Sequence, residues 1–147
     1  MKVEIRIDPQ REEPALVVEA SALTPQVEEL AQRLREEEEG PILGRLGEVV
    51  IPLKTEELVR FYAQDKGVFA QNAQGESYAL RLRLYELEER LDKHVFVRVS
   101  NSEVVNLKKI TALDLSFSGT IKITLEGGAV CYASRRYVKT IKQALGL

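Results

Sequence analysis

The stretch from Leu113 to Ala133 constrains the fold of this chain more than any other. Leu113, Leu115 and Phe117 alternate with Asp114 and Ser116, and Ser118-Gly119 turns the chain. Ile121, Ile123 and Leu125 then alternate with Lys122 and Thr124, and Gly127-Gly128 turns it again into Ala129 to Ala133. A period of two sends successive side chains to opposite faces of an extended backbone, and glycine supplies the positive φ of tight turns. The pattern predicts consecutive antiparallel strands with one buried face. It recurs upstream in Val49-Val50-Ile51, in Val59 to Tyr62, and in Val68 and Ala70. It continues in Tyr78, Leu80 and Leu82 beyond a turn at Gln74-Gly75, then in Phe96 and Val104-Val105 around the polar Ser100-Asn101-Ser102.

Helical periodicity is confined to three places. Thr24-Pro25 reads as an N-cap followed by proline at the first helical position, ahead of a Val27, Leu30, Ala31, Leu34 stripe. That helix ends in the solvated run Glu36 to Glu39 and stops at Gly40-Pro41. Leu84, Leu87 and Leu91 form a short amphipathic helix, and Ser134 reads as the N-cap of a last one with Val138, Ile141 and Leu145 inward. Two runs ahead of Thr24, Lys2 to Asp8 and Ala15 to Val18, read as strands. The fold class is therefore α+β, mainly β. Residues 1–45 are expected to form a small strand-helix unit ahead of a β domain over 46–147. A 45-residue acidic unit is too small to fold alone, so it is expected to pack on the β domain or on a second subunit, giving a homodimer.

The chemistry-bearing residues exclude more than they suggest. Cys131 is the only cysteine and His94 the only histidine among 147 residues, so neither a disulfide nor the usual zinc constellations are available. Cys131 lies between Val130 and Tyr132 in a strand, as a structural thiol does, and His94 reads as a surface loop residue. No glycine-rich phosphate loop is present, and no cofactor or metal is expected; the chain does not read as an enzyme. No apolar run approaches the roughly 18 residues of a membrane span, and the N-terminus is no signal peptide, so a cytoplasmic protein is expected.

Net charge is −2, but it is unevenly placed. Residues 1–60 carry 8 Lys/Arg against 14 Asp/Glu, whereas residues 93–147 carry 9 against 3. A basic C-terminal third on an acidic chain is the electrostatic footprint of a polyanion-binding surface. Ser134-Arg135-Arg136-Tyr137 places two arginines in the first turn of the last helix, at the positive end of its dipole, where an anion is the natural partner. Arg135, Lys139 and Lys142 fall on one helix face, suited to a phosphate backbone, with Arg136 free to reach a base edge. A second polar group comprises Arg98, Ser100, Asn101 and Ser102, followed by Asn106, Lys108 and Lys109. The competing reading of both groups is structural: arginines paired with carboxylates, and asparagine and serine as ordinary turn residues.

The segment Phe96-Val97-Arg98-Val99-Ser100-Asn101-Ser102-Glu103-Val104-Val105-Asn106-Leu107-Lys108-Lys109-Ile110 resembles the core motif of the LytTR family of DNA-binding domains. Ala133-Ser134-Arg135-Arg136-Tyr137-Val138-Lys139 is similar to the family's ending, and Leu84 to Leu91 to its preceding helix. The resemblance covers residues 46–147 and implies an elongated antiparallel β fold whose loops enter successive major grooves of double-stranded DNA. It places base-reading roles on Asn101 and Arg136, with a third contact near Lys66-Gly67. Arg98, Ser100, Ser102, Lys108, Lys109, Ser134, Arg135, Lys139 and Lys142 would hold the DNA backbone. Many members carry histidine where this chain has Ser100, which leaves the preferred sequence open. Receiver domains of about 120 residues precede such domains in response regulators, and residues 1–45 are too short for one. The resemblance thus implies a stand-alone transcriptional regulator acting on a repeated promoter site. The alternative is a protein-interaction or anti-regulator module that keeps the fold without binding DNA.

Overall fold

Ten antiparallel strands and three α-helices arise from these alternating runs in the computed structural model, which describes residues 1–147. In chain order they are α1 (Pro25–Glu39), β1 (Ile42–Leu46), β2 (Val49–Leu53), β3 (Leu58–Gln64), β4 (Gly67–Asn72) and β5 (Ser77–Leu80). Then follow α2 (Leu84–Arg90), β6 (Phe96–Ser100), β7 (Glu103–Asn106), β8 (Ile110–Asp114), β9 (Ile121–Leu125), β10 (Val130–Ala133) and α3 (Val138–Leu145). One sheet has seven strands in the order β2-β1-β5-β4-β3-β7-β6, and the other has three in the order β10-β9-β8. The fold is α+β and mainly β, as the alternation requires.

Two apolar clusters lie on either side of β3, β6 and β7. Val59, Val97, Val99 and Val105 pack against Ile121, Ile123, Leu125, Cys131 and Ala133 of the small sheet and against Ile141 of α3. Leu58, Phe61, Phe96 and Val104 point the other way, onto Leu84, Leu87 and Leu91 along α2. A register shift between Leu58 and Arg60 lets Leu58 and Phe61 share a face despite their odd spacing, as a β-bulge does. Strands buried on both faces read as continuous apolar runs, which is why Val104-Val105 has no polar partner in sequence.

α1 begins where its cap predicts: the Thr24 hydroxyl accepts the Val27 N–H at 3.3 Å. Its Val27, Leu30, Ala31 and Leu34 stripe is only half-buried, and the buried side chain of the helix is Gln32, which donates to the Arg90 carbonyl. Arg90 in turn donates to the Gly40 carbonyl at 2.7 Å and pairs with Glu39 at 2.7 Å. A polar clasp thus holds α1 to the C-terminus of α2.

Four sequence expectations are corrected. Residues 2–8 and 15–18 form no ladder and stand exposed, because a strand needs a neighbour to take its backbone hydrogen bonds and none is adjacent. The boundary after residue 45 falls inside β1, which pairs along its whole length with β2 and at Arg45 with Ala79 of β5. The Leu113–Phe117 strand ends at Asp114, whose carboxylate accepts the Ser116 N–H at 2.9 Å and turns the chain away, leaving Leu115 and Phe117 exposed. Ser134 caps nothing with its side chain: Arg135–Tyr137 form a separate 3-10 turn, and α3 starts only at Val138.

Asn106 closes the core from one end. It is 1% exposed, donates to the Leu58 carbonyl at 2.9 Å and accepts the Lys108 N–H at 2.9 Å. Asn106→Ala leaves both groups without their partner and should lower unfolding free energy by about 1–3 kcal/mol in urea titration.

Candidate nucleic-acid interface

Three connections meet at one end of the β3, β7 and β6 strands. The first is the two-residue turn between Gln64 and Gly67, the terminal pair of the β3–β4 ladder. Asp65 and Lys66 both adopt positive φ there, at 50° and 64°. Two left-handed residues are what the strand twist asks of a hairpin turn of this length, but Asn-Gly normally supplies them. Lys66 is thus held outward on a strained backbone, the kind of cost that persists at functional turns.

The second connection, Asn101-Ser102 between β6 and β7, is built by its neighbours. Arg98 donates from Nε to the Ser100 carbonyl at 2.6 Å and from Nη2 to the Asn101 carbonyl, while its Nη1 lies 3.2 Å from a Glu88 carboxylate oxygen of α2. The Ser100 hydroxyl accepts the Ser102 N–H at 3.2 Å and lies 3.3 Å from the Ser102 hydroxyl. The Asn101 side-chain amide, by contrast, is exposed and makes no hydrogen bond.

The third connection joins β10 to the 3-10 turn. Ser134 N–H donates to the Val99 carbonyl of β6 at 2.8 Å, and its own carbonyl accepts the Tyr137 N–H at 2.9 Å. That i to i+3 bond, in place of an i to i+4 bond, winds the 3-10 turn and sets Arg135 and Arg136 ahead of α3 rather than within its first turn. The Arg136 guanidinium stands over the Tyr137 ring, 5.5 Å from its centroid. Arg135 lies against Gly119, where a Cβ would come within 3.0 Å of the guanidinium, so a side chain there would displace it.

Backbone bonds lock the connections together. Ala63 N–H donates to the Ser102 carbonyl at 2.8 Å, joining the first to the second, and the Ser134–Val99 bond joins the third. Lys66, Asn101 and Arg98 line a single cleft of about 340 Å³ with Arg83 and Tyr85 at the start of α2. Sequence reasoning passed over Arg83 and Tyr85. The available signal was the exposed Arg81, Arg83 and Tyr85 interleaved with Leu82 and Leu84. Lys108 and Lys109 are not brought to this end. They follow β7 beyond the open end of the β6–β7 hairpin, roughly five strand residues or about 17 Å from its turn.

The pattern of ion pairs separates two kinds of cation. Arg60 pairs with Glu103 at 3.1 Å, Arg90 with Glu39, Arg98 with Glu88, and Lys109 with Glu126 at 3.3 Å. Lys66, Arg135, Arg136, Lys139 and Lys142 have no carboxylate within 4.0 Å. The structural explanation of Arg135 and Arg136, pairing elsewhere in the fold, therefore does not hold. Cys131 is buried in the core beneath these connections, beside Glu103 at the start of β7. Burial, with the Glu103 carboxylate adding to it, pushes its thiol up to about 12. His94 is exposed beside α1 and pairs with Glu28.

Known proteins share this fold. A family model described as LytTr DNA-binding domain matches residues 48–146. The chain belongs to the LytTR DNA-binding domain family. It is similar over its full length to two Staphylococcus aureus proteins, from strains MSSA476 and NCTC 8325, each named an uncharacterized HTH-type transcriptional regulator. Both are 29% identical over 148 residues, covering 100% of this chain and 99% of theirs. A solved Bacillus cereus structure, described as the LytTr DNA-binding domain of a methyl-accepting/DNA response regulator, shares the fold with a TM-score of 0.69. Its identity is 21%, and the match covers 74% of this chain and 99% of that one. The LytTR domain here contains no consecutive helix pair after β1; α2 and α3 are separated by five strands.

The strained turn makes a two-sided prediction. A left-handed conformation costs a non-glycine residue roughly 1–2 kcal/mol, and glycine's greater freedom in the unfolded chain offsets roughly 0.5–1 kcal/mol of the gain. Lys66→Gly should therefore raise unfolding free energy by up to about 1 kcal/mol in denaturant titration while weakening DNA binding.

Proposed function

We propose that this chain regulates transcription by reading a short double-stranded DNA site through its three joined connections. The observation that carries this is that Lys66, Arg135 and Arg136, all exposed and without a carboxylate partner, stand with the unbonded Asn101 amide on the three connections that are locked together. Asn101 has one donor and one acceptor to match an adenine edge, and Arg136 has two donors for guanine. Lys66, from the neighbouring turn, reaches a third base edge. Arg135, Lys139 and Lys142 hold phosphates, for which a charge suffices and a planar fork is not required, with Ser134 beside them. Ser100 and Ser102 shape the turn that presents Asn101, and Arg98 acts from within by fixing that turn's carbonyls. Lys108 and Lys109, at the far end of the hairpin, contribute only to the general field. Residues 1–45 serve assembly, so that a homodimer meets a repeated site; no helix is long and apolar enough to cross a membrane.

Paired titrations of cognate and scrambled duplexes test this reading. With Arg135, Lys139 and Lys142 neutralising about three phosphates, log K should fall against log salt with a slope of about −3. Asn101→Ala and Arg136→Ala should each cost about 1–3 kcal/mol on the cognate site and much less on scrambled DNA. Lys139→Ala should weaken both duplexes alike and reduce the salt slope by about one. Equal losses on both duplexes would make Asn101 and Arg136 backbone contacts. A slope near zero would leave a protein-interaction module on a LytTR fold.

A further inference from the structure

The first 24 residues carry apolar side chains that nothing in the chain covers. Val3, Ile5 and Ile7 are 84–86% exposed, and Leu16 and Val17 are 74–80% exposed. The segment is not shapeless. Lys2 and Arg6 both pair with Glu4, at 2.7 and 3.1 Å, and contacts between residues two apart require an extended backbone with all three charges on one side. Val3, Ile5 and Ile7 then form the opposite side. Asp8 closes the run with a turn: its carbonyl accepts the Arg11 N–H at 3.1 Å and its carboxylate the Gln10 N–H at 3.0 Å. Ala15 to Val18 follow as a second apolar run. The segment is an amphipathic arm with its apolar side bare.

A second bare surface lies at the β1–β2 hairpin, on the margin of the large sheet. Leu43 and Val50, 48–52% exposed, share one face with Arg45 and Pro52, while Leu46 and Val49, 43–59% exposed, pair on the opposite face. Pro52 faces Leu43 in that ladder and has no N–H, so β2 is a poor edge for adding another strand through its backbone. What the hairpin offers a partner is side-chain surface.

We propose that residues 2–18 of one copy lie across the β1–β2 hairpin of a second copy, and reciprocally, forming a two-fold dimer. This specifies the surface behind the assembly role given to residues 1–45 and is independent of which bases are read. Within one chain the arm and the hairpin stay apart and both remain bare. Two copies exchanging arms cover both at once with one self-complementary contact. The five arm side chains with Leu43 and Val50 expose on the order of 800 Å² per copy, comparable to the roughly 800 Å² per partner that a stable interface buries. The occupant is a second copy because the arm's aliphatic side matches the hairpin's aliphatic surface. The charged side of the arm, Lys2, Glu4 and Arg6, is already paired within itself and faces outward.

Sedimentation of the full chain over a concentration series, without DNA, tests the proposal. The unsubstituted chain should be dimeric, and Ile5→Asp with Ile7→Asp should leave it monomeric. Those positions lie outside the folded core, so their loss cannot act through unfolding. Val50→Asp, on the hairpin, should give the same loss with an unchanged circular dichroism spectrum. A mixture of chains carrying Ile5→Cys alone and Val50→Cys alone should oxidise to a cross-linked pair, with buried Cys131 taking no part. The proposal is overturned if the unsubstituted chain is monomeric throughout, or if the dimer survives the arm substitutions. It is also overturned if only a chain carrying both cysteines cross-links, as a monomer, since the arm would then fold onto its own hairpin.

Discussion

Strands β3, β6 and β7 bury both of their faces, and the rest of the molecule is arranged around that constraint. Val59, Val97, Val99 and Val105 face the small sheet and α3, while Leu58, Phe61, Phe96 and Val104 face α2. A strand covered on both sides cannot slip in register without carrying apolar groups out of one core and into the other. The ends of these strands are therefore fixed in three dimensions, and the connections at those ends inherit that rigidity. DNA recognition by loops needs such a scaffold, because side chains on a mobile loop would lose in ordering entropy what they gain in contact.

Polar bonding transfers the rigidity from strand to tip. Arg98 anchors two carbonyls of the β6–β7 turn and is itself anchored by Glu88, so α2 steadies the turn that carries Asn101. Ser134 is held by Val99, two residues before Asn101, so the arginines of the 3-10 turn follow the same strand. Arg135 rests against Gly119, drawing the β8–β9 connection into the same framework. Arg60 and Arg98 within this framework have carboxylates, whereas Lys66, Arg135 and Arg136 on its connections do not. A charge without a partner at the surface is cheap in water and available to a polyanion, which releases counterions when it arrives.

Much of the domain was legible in its residues. Alternation about glycine turns marked the β9–β10 hairpin, the Leu84, Leu87, Leu91 spacing marked α2, and Thr24-Pro25 marked the start of α1. Failures came where local pattern and long-range pairing disagree. Val3, Ile5 and Ile7 alternate as a strand does, yet no neighbour takes their backbone within the chain. Ser134 has the chemistry of a cap, yet its N–H goes to β6 and the helix starts later. Arg98 looks like a surface contact in the motif, but only the folded chain shows Glu88 and two carbonyls around its guanidinium.

The sequence by itself determined the strand-rich class, the family, the asymmetry of charge and the identity of the exposed asparagine and arginine, because each depends on side-chain type and spacing alone. Tertiary structure decided which of those groups stand together. Lys66 and Asn101 lie 35 positions apart in the chain and share one cleft, whereas Lys108, only 7 positions from Asn101, lies at the other end of the hairpin. It also decided which cations are free. Arg60, Arg90 and Arg98 are chemically the same as Arg135 and Arg136. Only the packing of distant strands and helices gives the first three their carboxylates and leaves the last two without, since pairing depends on distances across the fold that spacing along the chain does not encode.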